Sequence, residues 1–255
     1  MGKVVAIVNQ KGGVGKTTTC VDLTATLREL GKNVLLCDFD PQANATSGMG
    51  VDKTLSAGVY DALINDVPTE KLIVSTRYGD VLPSSKGLAG AGVEMIGLEN
   101  REFLLKGVLD QVRERYDFIF IDCPPSLELL TLNGLCAADT LLVPVQGEYF
   151  ALEGLSDLMT TVRLVKRNLN SSLELEGVLL TMYDSRTNLS LQVAEEVKRY
   201  FPGKVYTAVV PRNVRLSEAP SHGKPICAYD RTSRGAEAYR QLAEEFLRKN
   251  GAPAS

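Results

Sequence analysis

Short unbroken apolar runs recur along the chain. They are Val4-Val5-Ala6-Ile7-Val8, Val34-Leu35-Leu36-Cys37, Phe118-Ile119-Phe120-Ile121, Thr140-Leu141-Leu142-Val143-Pro144-Val145, Gly177-Val178-Leu179-Leu180-Thr181 and Val205-Tyr206-Thr207-Ala208-Val209. A strand with one wet face alternates apolar and polar residues, so these runs read as strands buried on both faces. Between them, apolar positions at helical spacing predict helices over Thr19 to Leu30, Asn100 to Arg115, Gly154 to Arg167, Leu189 to Tyr200 and Ser233 to Lys249. Strands alternating with amphipathic helices predict an α/β fold: a single domain over residues 1–250, with a mostly parallel twisted sheet and helices on both faces. Gly251-Ala252-Pro253-Ala254-Ser255 reads as a flexible tail.

Composition narrows the class. At 255 residues, 44% hydrophobic and 23% charged, the chain can bury a substantial core without staples. Cys20, Cys37, Cys123, Cys136 and Cys227 are odd in number and contain no C-x-x-C pair, so they read as reduced, small buried residues rather than ligands. The first strand starts almost at once, leaving no room for a signal peptide, and no apolar run approaches the roughly 20 residues of a membrane span. The expectation is a cytoplasmic protein with no membrane partner. His222 is the only histidine, which argues against a histidine-based triad elsewhere or a His-rich metal site; it reads as structural.

The candidate chemistry is concentrated at Lys11-Gly12-Gly13-Val14-Gly15-Lys16-Thr17-Thr18, between the first strand and the first helix. That order is the context of a phosphate-binding P-loop. Glycines let backbone amides turn inward on a phosphate, and the helix offers its positive end. Lys16 would reach the β- and γ-phosphates, and Thr17 would put a hydroxyl on Mg²⁺. The common pattern wants glycine where Gln10 stands, and a second lysine, Lys11, opens the loop.

Two strands end in carboxylates, where α/β sheets bind ligands. Asp122, followed by Cys123-Pro124-Pro125, looks like a Walker B aspartate holding Mg²⁺ directly or through water. Asp38 and Asp40, two residues apart before Pro41, point the same way. One can bond to the metal's water and the other can orient the attacking water, so Thr17, Asp38 and Asp122 are the candidate metal residues.

The loop K-G-G-x-G-K-T-T resembles the deviant Walker A motif of the MinD/ParA superfamily of dimeric ATPases. The likeness continues through Asp38-Phe39-Asp40-Pro41-Gln42-Ala43-Asn44-Ala45-Thr46-Ser47-Gly48, through Gln146 to Leu155, and through Arg212 to Pro225, Tyr229-Asp230 and Ser233 to Ala236, which are similar to the chromosomal, Soj-like branch. The resemblance implies a P-loop NTPase fold, ATP and Mg²⁺ as cofactors, and an ATP-dependent homodimer in which Lys11 crosses to the partner's nucleotide. It implies catalytic roles for Lys11, Lys16 and Asp40, and ATP binding by Lys11, Gly12, Gly13, Val14, Gly15, Lys16, Thr17, Thr18, Pro211 and Asn213. It also implies non-specific binding of double-stranded DNA through Arg186 and Arg215, stimulation by a ParB-type centromere-binding protein, and association with the nucleoid. Ala43 departs from the glycine that many relatives carry, and the first strand leaves no room for the N-terminal helix-turn-helix extension of larger plasmid relatives.

Charge agrees with a local DNA face. Residues 181–234 hold nine basic side chains against five acidic, a balance of +4 in a chain of net charge −3. Three rivals remain open. A membrane-cycling, MinD-like ATPase would need a basic amphipathic C-terminal helix, whereas Glu244 and Glu245 stand in this one. A nitrogenase-iron-protein-like reductase would need cysteines bridging a cluster between subunits, a pattern that Cys123 and Cys136 do not resemble. A DNA-coating scaffold would use hydrolysis only to reset itself.

Overall fold

β1 (Lys3–Ile7) pairs in parallel with β5 (Phe118–Asp122) on one side and β6 (Thr140–Gln146) on the other. The computed structural model describes residues 1–55, 57–148 and 151–251. Within them, β2 (Val34–Asp38), β3 (Val74–Thr76), β4 (Gly79–Leu82) and β7 (Glu174–Thr181) complete a seven-stranded sheet of order β3-β4-β2-β5-β1-β6-β7. All neighbours run parallel except β3 and β4. Residues 252–255 of the expected tail lie outside the described residues, as do Tyr149 and Phe150.

Both faces of the sheet are covered, as the apolar runs predict. Val4, Ala6 and Val8 point to one side, with Leu105 and Leu109 of α5 (Leu104–Asp110), Leu135 of α6 (Leu129–Ala137), Leu155 and Leu158 of α7 (Ala151–Asn168) and Val193 and Val197 of α8 (Asn188–Tyr200). Val5 and Ile7 point to the other, with Cys20, Leu23 and Leu27 of α1 (Lys16–Glu29) and Tyr239, Leu242 and Phe246 of α11 (Arg234–Lys249). The expected C-terminal helix is therefore part of the core. Phe246 meets Phe118 edge-on at 5.0 Å and Phe120 at 5.6 Å. Such aromatic pairs add roughly 0.5–1.5 kcal/mol beyond area burial, and the apolar face of α11 is committed to the sheet. Among the described residues no helix is long and apolar enough to cross one.

Two expected elements differ. The run from Val205 to Val209 is not a strand. It bonds to β7 at the Tyr206 and Val210 amides, but the Ala208 amide between them donates instead to the Glu245 carboxylate at 3.0 Å, so only an isolated bridge, Val178 to Val205, is left. The helix expected over Asn100 to Arg115 is broken into a 3₁₀ turn (Arg101–Phe103), α5 and a second 3₁₀ turn (Arg113–Arg115). Asn133 of α6 intercepts one of its bonds: Oδ1 accepts from the Leu105 amide at 3.1 Å while Nδ2 donates to the Arg101 carbonyl at 2.8 Å. β3 and β4, not expected, are short and lie at the edge.

The remaining helices are short. They are α2 (Asn44–Gly48), α3 (Val59–Ile64), α4 (Leu88–Glu94), α9 (Val214–Glu218) and α10 (Ile226–Tyr229). All five cysteines are free thiols, with only Cys227 partly exposed. His222 stacks on Tyr229 at 4.9 Å, a structural contact.

Candidate active site

The loop between β1 and α1 is tied down from outside. Thr181, at the end of β7, donates its hydroxyl to the Val14 carbonyl at 2.8 Å. Asn9 donates to the Pro144 carbonyl at 2.7 Å and accepts from the Lys11 amide at 2.9 Å. Gly15, with φ 89°, makes the left-handed turn that starts α1. The first helical amide bond is Thr19 to Gly15, so the preceding amides remain available to an anion. Lys16 folds back and donates to the Lys11 carbonyl at 2.9 Å. Burial lowers its pKa, while the negative charges of Asp122 and Asp40 pull it back up.

Parallel register brings the carboxylates level with this loop. Asp122 pairs with Ile7 on one side and Asp38 on the other. Both are wholly buried, yet their bonding differs. Asp38 is satisfied: it accepts from the Thr46 amide at 2.6 Å, the Thr46 hydroxyl at 2.7 Å and the Asp40 amide at 3.2 Å. Among the described residues, neither oxygen of Asp122 has a partner. Burial first, then the charge of Asp38, pushes its pKa well above the usual carboxylate range. Thr17 stands near enough to oppose that shift, although its hydroxyl falls short of hydrogen-bond geometry. A buried unpaired carboxylate either takes a proton or takes a cation. Among the described residues no three His, Cys, Asp or Glu side chains gather to hold a metal by themselves. An oxygen-seeking ion that keeps several waters and binds through one carboxylate and phosphate fits this donor set; that is the habit of magnesium.

Asp40 lies just beyond, buried, and accepts from the Gln42 amide at 2.9 Å. The loop then turns at Ala43, whose φ of 53° is left-handed. This is the position where the resemblance calls for glycine, and the backbone explains why. Pro211 and Asn213 line a cavity of about 380 Å³ that reaches Gly15 and Thr18 at the phosphate loop and Tyr239 behind them. A parallel bridge from Tyr183 to Pro211 sets its wall. Asn213 caps α9, its Oδ1 accepting from the Arg215 amide at 2.8 Å.

The other expected residues stand apart from this centre. Lys11 pairs with Glu148 at 2.6 Å, and Gln146 donates to the same carboxylate at 2.6 Å. Arg186, 87% exposed in its side chain, clasps Asp184 through two bonds of 2.9 and 2.7 Å. Arg215 bonds to Glu218 at 2.9 Å and lies 3.5 Å from Asp230. Neither arginine is a bare charge. Sequence reasoning gave no role to Asn9, Thr46, Glu148 or Thr181. Only Asn9 had a local signal, a polar side chain between the apolar strand and the loop.

Comparison with known proteins gives this geometry a lineage. Residues 2–175 match a family described as an AAA domain. The sporulation initiation inhibitor protein Soj of Bacillus subtilis is 58% identical over 248 residues, 96% of this chain and 98% of that protein. The chromosome partitioning protein ParA of Myxococcus xanthus is 51% identical over 98% of this chain and 89% of that protein. Among solved structures, the cobyrinic acid a,c-diamide synthase of Mycobacterium smegmatis with bound ADP and magnesium superposes with a TM-score of 0.86 at 38% identity, covering 98% of this chain and 96% of that one. With a deviant phosphate loop, strand-end carboxylates and a full-length match at this level, the chain belongs to the Soj/ParA family, whose phosphate-loop domain is of the AAA type.

Proposed function

We propose that this chain is a Mg²⁺-dependent ATPase of chromosome partitioning, which dimerises on ATP, binds double-stranded DNA without regard to sequence and is stimulated by a ParB-type centromere-binding protein. The observation that carries this reading is Asp122, a buried carboxylate with both oxygens unpartnered, one strand from the phosphate loop. Family membership supports it: the Bacillus relative is a Soj and the Myxococcus relative a chromosome partitioning protein, at higher identity than the synthase.

Thr17 and Asp122 would hold Mg²⁺, which would supply Lewis-acid charge to the phosphates of a bound nucleotide. The chain's own residues do the rest. Lys16 leaves the Lys11 carbonyl for the phosphates, joined by the amides of Gly12 to Thr18. Asp38 steadies the turn to α2 through Thr46. Asp40 orients the attacking water. Pro211 and Asn213 flank the base. Lys11 parts from Glu148 and reaches the partner subunit's nucleotide, a contact that exists only in the closed dimer, so ATP shifts that equilibrium. Arg186 and Arg215 contact DNA phosphates, which puts the protein on the nucleoid.

The test is a titration of ATP with and without Mg²⁺ in wild type and Asp122→Asn, followed by co-sedimentation with duplex DNA under ATP and ADP across a salt series. Mg²⁺ should raise wild-type affinity by about tenfold or more and do little for the variant. DNA binding should require ATP, ignore sequence and fall steeply with salt. Equal Mg²⁺ dependence in both proteins, or equal DNA binding with ADP and ATP, rules the reading out.

A further inference from the structure

α1 carries a second buried carboxylate that the chemistry above does not use. Asp22 lies beyond Thr17 along the helix and is 3% exposed. Its Oδ1 accepts from the amide of Ile226 at 2.7 Å, across 204 residues of sequence. Ile226 is the first residue of α10, and its amide has no partner within so short a helix. The contact therefore ties the nucleotide helix to the segment that follows Arg215.

From Ile226 the polar contacts run on without a gap. Its carbonyl accepts from the Asp230 amide at 2.9 Å. The Asp230 carboxylate lies 3.5 Å from Arg215 Nε. Arg215 donates to Glu218 at 2.9 Å, and the Tyr229 hydroxyl donates to that same Glu218 oxygen at 3.1 Å. Stacking of His222 on Tyr229 braces the far side. The setting of the Arg215 guanidinium thus depends on where α10 sits, and α10 is tied to α1 through Asp22.

The near end of the chain is in touch with the nucleotide machinery. Asp22 borders a cavity of about 250 Å³ that Thr17 and Thr18 line from α1, Asn44 and Ser47 from α2, and Lys224 from the turn after α9. α2 begins directly after Ala43, so it continues the turn that carries Asp40. At its other end, a Cβ placed on Gly50 would meet the Gly223 carbonyl at 2.9 Å, so these two segments touch backbone to backbone. A shift of α2 or of the start of α1 must be taken up at this junction, and packed junctions switch between discrete arrangements rather than bend.

We propose that Asp22 is a positioning residue that couples the state of the phosphate loop to the setting of Arg215, by holding α10 to α1. The proposal rests on the DNA-binding role given to Arg215 above, yet its mechanical part can be read without DNA. Above pH 7, where Asp22 is ionised, a hydrogen bond to this buried acceptor is strong enough to move a two-state balance by about 10- to 100-fold. Burial raises the Asp22 pKa to about 7, opposed by the Ile226 amide, so this bond has its full strength only above that pH. The Cys227 thiol of α10 and the Tyr239 hydroxyl of α11 feel the charge of Asp22, and Lys224 lines the same cavity.

The experiment compares wild type, Asp22→Leu, Asp22→Ala and Asp22→Asn by amide hydrogen exchange over residues 214–231, with ATP and Mg²⁺ or with neither, alongside ATP titration. Leucine keeps the volume without an acceptor; asparagine keeps the acceptor. ATP should slow exchange in this segment in wild type and Asp22→Asn. In Asp22→Leu and Asp22→Ala that protection should vanish while ATP affinity stays within about threefold, because the phosphate contacts are untouched. DNA affinity with ATP should then drop about tenfold toward the ADP level in the same two variants. Retained ATP-dependent protection in either non-acceptor variant overturns the coupling. So does its loss in parallel with ATP binding, which is what a merely structural role would give. Coupling seen by exchange with no DNA binding by any protein would instead overturn the role of Arg215 and leave Asp22 standing.

Discussion

Lys11 and Glu148 form an ion pair of 2.6 Å, so the lysine expected to serve the partner subunit is held at home. Both side chains are more than a third exposed, and such pairs contribute only about 0–1 kcal/mol. The hold is weak enough for a nucleotide phosphate to break. Glu148→Gln should therefore strengthen ATP-dependent dimerisation by no more than about fivefold. Lys11→Ala should bind ATP almost normally and dimerise at least about tenfold less. Sedimentation with ATP reads both, and a Lys11→Ala protein that dimerises like wild type defeats the assignment.

Lys16→Ala removes the buried cation nearest the loop. ATP affinity should fall by about 10- to 100-fold, the worth of a charge-assisted contact. Calorimetric titration checks this, and unchanged affinity would mean that the phosphates sit elsewhere.

Asp40→Ala should spare ATP binding and abolish turnover, leaving a long-lived ATP dimer, since Asp40 bonds to a backbone amide rather than to the loop. Phosphate release is the measurement. Wild-type rates in the variant would move the role to Asp38.

Ala43 offers a test of backbone strain. An alanine with φ of 53° gives up roughly 1–2 kcal/mol, while glycine loses about 0.5–1 kcal/mol more chain entropy on folding. The first term is the larger, so Ala43→Gly should be neutral or stabilising by up to about 1 kcal/mol, opposite to an ordinary Ala→Gly change. Ala43→Val should cost more than 1 kcal/mol, because a β-branched residue fits that region badly. Urea denaturation of the three proteins decides it.

Asp22 predicts a pH dependence. Its folded pKa is raised from 3.8 to about 7, so between those values the folded state binds more protons than the unfolded chain. Stability therefore falls as pH rises from about 4 to about 7 and levels off above. Asp22→Asn cannot titrate, so its stability relative to wild type should be greater at pH 8 than at pH 5, by up to about 3 kcal/mol. A difference of the same size at both pH values would show that Asp22 does not titrate in this window.

The sequence carried the phosphate loop because that motif is contiguous: strand, glycines, lysine and helix follow one another, and nothing distant is needed to complete them. It carried the buried strands for a similar reason, since burial on both faces writes itself into every residue of Phe118 to Ile121. It could not carry what distant side chains decide. Glu245 takes the Ala208 amide that a strand at Val205 to Val209 would need, and Asn133 takes the bond that would have continued a helix through Leu105. Asp38 and Asp122 look alike in sequence, each ending an apolar strand. Only the turn at Ala43 brings Thr46 back to satisfy one and leave the other bare.

The strand order has a consequence for synthesis. β1 is made first but lies between β5 and β6, with Lys3 opposite Phe118 and Val5 opposite Thr140. At roughly 5–20 residues per second, a ribosome needs on the order of 6–25 s to make the stretch separating Lys3 from Phe118. Through that interval Val4 to Val8 is a nascent apolar segment whose edges nothing yet occupies, the condition in which a chain is most open to chaperone capture or to pairing with the wrong neighbour.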